Sequence, residues 1–129
     1  MNIGDKFEQS FQVTNEIYEG FIRLFNDKNP LHTDGEFALE KGFSSVVMHG
    51  NILNGYLSFF IGECLPLKNV IIQTQEIKYF KPVYLNDALT LQAEITDVHS
   101  SVNLIEMKYG FYKSDKVKVA GGKINIGII

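Results

Sequence analysis

Between Gly50 and about Glu63 the apolar residues Ile52, Leu53, Tyr56, Leu57, Phe59, Phe60 and Ile61 fall on most of a helix's circumference. A helix of that kind has little face to offer water, so other structure must wrap it. After Pro66 come four segments rich in β-branched and aromatic residues, Val70 to Phe80, Ala88 to Val98, Ser101 to Tyr112 and Val117 to Ile129, which read as strands. The breaks between them hold turn chemistry at Pro82, Asn86-Asp87, His99-Ser100 and Ser114-Asp115, with the spacing of an antiparallel meander. A strongly curved antiparallel sheet of about five strands buries such a helix better than a flat one does. The expected class is therefore α+β: a curved antiparallel sheet wrapped around a central α-helix, forming one domain over residues 1–129.

The first half reads as helix and loop. Phe7, Phe11 and Val13 alternate with polar residues, a half-buried opening strand. Thr14 then caps a helix whose first turn holds Glu16 and whose buried face is Ile17, Phe21, Leu24 and Phe25, with Val13 placed to pack on Tyr18. The pattern ends near Asn26. A loop around Pro30 follows, then a short helix capped by Asp34 and stopped by Gly42.

Composition narrows the partners. At 45% hydrophobic and 21% charged the chain should fold, and a formal charge of -3 offers no field for nucleic acid or an anionic membrane. The longest apolar stretch is interrupted and shorter than the ~20 residues a spanning helix needs. The one cysteine, Cys64, excludes an internal disulfide and reads as a core residue, and Met1 runs into polar residues without a signal pattern, so a reducing cytoplasm is expected.

Asp27, Asn29, Pro30 and His32 bring an acid, a proline-stiffened turn and a histidine close together in a loop. Taken alone, such a loop most often only ends a helix and shapes a turn. It is followed, however, by Phe43 to His49 and by Gly50, which opens the apolar helix. This arrangement resembles the MaoC-like, R-specific enoyl-CoA hydratases, whose pattern is Gly-Asp-x-Asn-Pro-x-His, an aromatic-led strand, and His-Gly opening the helix of a hot-dog fold. Phe80-Lys81-Pro82-Val83 and Asn86-Asp87 are similar to that family's Phe-x-x-Pro-Val turn and its following Gly-Asp.

The resemblance implies a single hot-dog fold and assigns Asp27 and His32 to a catalytic pair that hydrates an acyl thioester. The chemistry needs such groups independently: a base for water attacking C3, an acid for C2, and donors for the enolate oxygen. The Gly50 N–H, at a helix start where unpaired amides and the dipole favour negative charge, suits the last role. The resemblance places Ser58 where it would support the catalytic acid. Asn29 braces the loop through its amide, and His49 matches a family histidine that reads equally as structural. His99 has no partner visible in the sequence. His32-Thr33-Asp34 lacks a recognisable third ligand, so neither a metal nor another cofactor is expected.

Three departures bear on substrate. Asn26 and Asn86 stand where the family has glycine, which asparagine can replace at positive φ. Phe25 would narrow the water pocket, and Asn51 puts an amide near the acyl site. The expected activity is that of an R-specific enoyl-CoA hydratase or 3-hydroxyacyl thioester dehydratase, with acyl-carrier-protein thioesters as the alternative substrate. Lys78, Lys81 and Arg23 are candidates for a basic entrance. A non-catalytic acyl-binding subunit is the contrasting class, and a thioesterase of the same fold fits the motifs less well. The resemblance also implies pairing into at least a homodimer.

Overall fold

The computed structural model describes residues 1–129. The opening strand β1 (Lys6–Gln12) leads into α1 (Asn15–Phe25), capped as expected by the Thr14 side chain, which accepts from the Ile17 N–H. Next come two short helices, α2 (Pro30–Thr33) and α3 (Gly35–Glu40), and the central helix α4 (Gly50–Phe59). The strands are β2 (Val70–Gln75), β3 (Lys78–Tyr79), β4 (Ala88–His99), β5 (Leu104–Lys113) and β6 (Lys118–Ile128).

Every strand pairing is antiparallel, in the order β1-β4-β5-β6-β2, with β3 also on β6. The meander holds for β4-β5-β6, whereas β2 crosses to the far side of β6 and β1 closes the other edge on β4. Alternate residues of β4 (Leu89, Leu91, Ala93, Ile95) and of β5 (Ile105, Met107, Tyr109, Phe111) are buried. They form one core with Ile52, Leu53, Leu57 and Phe60 of the central helix region. The period-two pattern in the strands thus supplies the inner face of a curved sheet around α4.

Several details differ from the sequence reading. The central helix is not wrapped on all sides, because Asn51, Gly55, Ser58, Phe59 and Gly62 form an exposed stripe. Its α-helical path stops at Phe59 and continues as a π-helical turn, Phe60–Cys64. Cys64 is half-buried at the margin of the core, its thiol 3.5 Å from Gln9 Oε1.

The expected strand from Val70 to Phe80 is broken at Glu76 and Ile77. There the backbone passes so close to β6 that a Cβ on Gly122 would lie 2.0 Å from the Glu76 carbonyl oxygen. The strand expected from Ser101 starts at Leu104, behind a 3₁₀ turn at Ser100–Val102. The segment from Phe43 to Met48 is extended loop rather than strand, pinned by Val47 N–H to Leu31 O and Met48 N–H to Val83 O. No helix is long and apolar enough to cross a membrane.

Candidate active site

Asn26 ends α1 in the left-handed conformation (φ 60°), its N–H bonded to Ile22 O at 2.8 Å. That turn throws Asp27 off the helix axis. Asn86 also has positive φ (69°), so both asparagines do what glycine would do. Asp27 Oδ1 accepts from the Asn29 N–H at 3.3 Å, and Asn29 Oδ1 accepts from the Leu31 N–H at 3.0 Å. The loop around Pro30 is therefore a capped helical turn, with proline at a first-turn position where its missing N–H costs nothing.

His32, on that turn, is held from three directions. Its N–H donates to Asn29 O, its carbonyl accepts from the Tyr18 hydroxyl at 2.5 Å, and its Nδ1 is 2.7 Å from Val47 O. A carbonyl can only accept, so Nδ1 carries a proton, and in the neutral ring Nε2 is the nitrogen left to accept. His49 is 2% exposed, and its Nε2 donates to the backbone carbonyl of Asp27 at 2.9 Å. Its Nδ1, the acceptor nitrogen of the neutral ring, has no partner. The His49 ring lies between His32, with centroids 4.1 Å apart, and Phe21, at 4.6 Å.

Asp27, His32 and His49 each offer a ligand-capable atom within 4.8 Å of the others. The sequence suggests His32 with Asp34 and offers no third ligand for them; the fold instead sets His32 beside Asp27 and His49, which are distant from one another along the chain. The spacing suits one small polar guest held between acceptors. It is also a spacing at which a cation could be coordinated, with one His49 nitrogen already committed to Asp27.

Gly50 is the first residue of α4, and His49 before it makes no side-chain cap, which leaves the Gly50 and Asn51 amides open while the Ile52 N–H bonds His49 O at 3.1 Å. A Cβ on Gly50 would lie 2.8 Å from Tyr79 Cζ. The close approach that requires glycine is thus made by the Tyr79 ring of β3. Asp27, His32, His49, Gly50, Asn51 and Tyr79 line one cavity of about 640 Å³, with Val13, Met48, Leu53 and Val83 as buried apolar walls and exposed Lys81 at the rim.

Two other expected residues lie elsewhere. Ser58 is exposed and makes no hydrogen bond to Asp27 within the chain. Eight residues of helix carry it about 12 Å along the axis and about 80° around from Gly50. Phe25 is 68% exposed and, with Arg23, lines a neighbouring groove between α1 and α4 that Asp27 and Asn51 also line. Of the candidate basic residues, only Lys81 lines the cavity. His99 does have partners: its Nε2 is 3.3 Å from Asp97 and 3.6 Å from Glu106.

Tyr79 escaped the sequence reading, which set the family's aromatic on Phe80. Its signal was position, since an aromatic three residues before Pro82 is Tyr79. Burial raises its hydroxyl pKa, opposed in part by the hydrogen bond from Asn54.

The MaoC-like domain family profile matches residues 2–116. The chain is 31% identical over 96 residues to an (R)-specific enoyl-CoA hydratase of Aeromonas caviae, covering 74% of this chain and 72% of that protein. It is 25% identical over 89 residues to a mitochondrial 3-hydroxyacyl-[acyl-carrier-protein] dehydratase of Arabidopsis thaliana, covering 69% of this chain and 52% of that protein. A solved (R)-hydratase from A. caviae superposes with a TM-score of 0.91 at 24% identity, over 100% of this chain and 98% of that one. The fold is the hot-dog fold.

Proposed function

The chain belongs to the MaoC-like domain family, and from that premise we propose that it is a hydro-lyase acting as an R-specific enoyl-CoA hydratase. It adds water to a trans-2-enoyl thioester or removes it from the 3-hydroxyacyl product. One observation carries this reading: Asp27, His32 and the open amino terminus of α4 meet on a single cavity.

A water between Asp27 and His32 Nε2 donates to both and attacks C3. The new C–O bond pushes the double-bond electrons onto the thioester oxygen, which the Gly50 N–H stabilises as an enolate. The water's proton passes to the Asp27/His32 pair, and the pair delivers a proton to C2 as the enolate collapses. Val13, Met48, Leu53 and Val83 hold the acyl chain, and Lys81 at the rim favours the phosphates of CoA. Asn29 and His49 position the pair.

Purified protein should consume crotonyl-CoA or a longer enoyl-CoA, read as loss of the conjugated enoyl absorbance. Absence of turnover on every enoyl thioester, including carrier-protein thioesters, rejects the reading in favour of a non-catalytic acyl-binding subunit. Faster turnover of the carrier-protein form assigns the chain to the alternative substrate.

The outer strand β2 and the exposed stripe of α4 favour pairing with a second copy, since an unpaired edge carrying exposed Ile71 and a helix stripe carrying exposed Phe59 both invite cover. Sedimentation at micromolar concentration should give a dimer or larger species. An active monomer rejects this part.

A further inference from the structure

We propose that Tyr79 is a second hydrogen-bond donor to the thioester oxygen, placed beside the Gly50 N–H by a chain of side-chain amides. The inference rests on the hydratase reading above. Tyr79 stands over the first turn of α4, its hydroxyl 3.1 Å from the point where a Gly50 Cβ would be. The Gly50 nitrogen is two covalent bonds from that point, so hydroxyl and amide stand within about 6 Å of each other. Two donors that share one oxygen, each about 2.9 Å from it, can be that far apart.

The direction of the bonds selects the role. Gln75 Nε2 donates to Asn54 Oδ1, and Asn54 Nδ2 donates both to Asn51 Oδ1 at 2.8 Å and to the Tyr79 hydroxyl at 3.4 Å. The Tyr79 oxygen is therefore an acceptor from the protein, and its own proton is left to donate into the cavity that Tyr79 lines with Asp27 and His32. A chain of donors pointing one way polarises its last member and strengthens the bond it gives. Burial keeps the phenol protonated, as a donor must be.

The test is steady-state hydration of crotonyl-CoA by wild type, Tyr79→Phe and Asn54→Leu, each checked by melting temperature. Removing one preorganised oxyanion donor costs about 100- to 1000-fold in kcat. Because Tyr79 is 50% exposed, the Phe variant should lose about 10- to 100-fold. Its KM should change less than about threefold, the mark of an interaction made mainly in the transition state. Asn54→Leu should lose less, in the same direction. A Phe variant with wild-type kcat, or one changed only in KM, overturns the proposal while leaving the hydratase reading intact. A wild-type protein inert on every enoyl thioester defeats the hydratase reading, and the donor role falls with it.

Discussion

His49 Nε2 stands 2.9 Å from the carbonyl oxygen of Asp27, so a buried histidine at the mouth of the central helix holds the backbone of the proposed water-binding residue. The same ring stacks on His32 at 4.1 Å, and one side chain thereby sets both members of the pair. It also leaves the helix amides uncapped, which is the condition for those amides to serve a ligand.

His49→Ala and His49→Asn separate these effects. The alanine variant loses ring packing and the bond to Asp27, and should be destabilised by about 2–4 kcal/mol. An asparagine is a good N-cap and should recover about 1 kcal/mol. It cannot restore the Asp27 contact, so the acid stays misplaced and kcat should remain at least ~10-fold down in both variants. Recovery of turnover together with stability in the asparagine variant would show that His49 serves the fold alone.

The proposed pair itself is tested by Asp27→Asn and His32→Ala. Each should lower kcat for crotonyl-CoA by at least ~100-fold, as loss of a general acid or base does. Asp27 is exposed and His32 is half-buried, so melting temperatures should move little. Near wild-type turnover in either variant removes that residue from the mechanism.

Much of this was legible because it is local. Thr14, Asn26, Asn29 and Pro30 act on amides within a few residues of themselves, and turn chemistry at that range can be read from the chain. The alternation of Leu89, Leu91, Ala93 and Ile95 announces a sheet face in the same way. What the chain hid is non-local. The break at Glu76 exists because Gly122 lets another strand in, and Tyr79 reaches Gly50 across the fold. Ser58 was placed by family position, and helix rotation carries it to the exposed stripe. An apolar circumference likewise says how much of α4 wants cover, not which side lacks it within one chain.

Two core tyrosines make a pH prediction. Burial pushes Tyr56 and Tyr109 up to about 12, and their hydroxyls donate to Gln12 O at 3.2 Å and Glu76 O at 2.6 Å, bonds a phenolate cannot make. The unfolded chain ionises near the ordinary value of 10 while the folded chain stays neutral, so the unfolded state binds fewer protons there. The contribution is complete below pH 10 and is lost as pH rises through about 12. Melting temperature should therefore fall across that alkaline window, and Tyr56→Phe should flatten the fall. An unchanged slope in that variant would assign the alkaline loss to other groups.

Asn26 offers the test that ties backbone to chemistry. At φ 60° it occupies a region that glycine enters freely, asparagine tolerates and a β-branched residue resists. Asn26→Gly should hold its stability within about 0.5 kcal/mol, whereas Asn26→Val should cost about 1–3 kcal/mol in strain or rebuild the turn. Asp27 follows directly, and its carbonyl and carboxylate are positioned through His49 and Asn29, so a rebuilt turn misaims the acid. Turnover should rank wild type and glycine together, with valine at least ~10-fold lower, because misplacement of about 1 Å suffices for large losses. Equal turnover in the valine and glycine variants would mean that Asp27 keeps its place without the left-handed turn, and the link from Asn26 to the site would be lost.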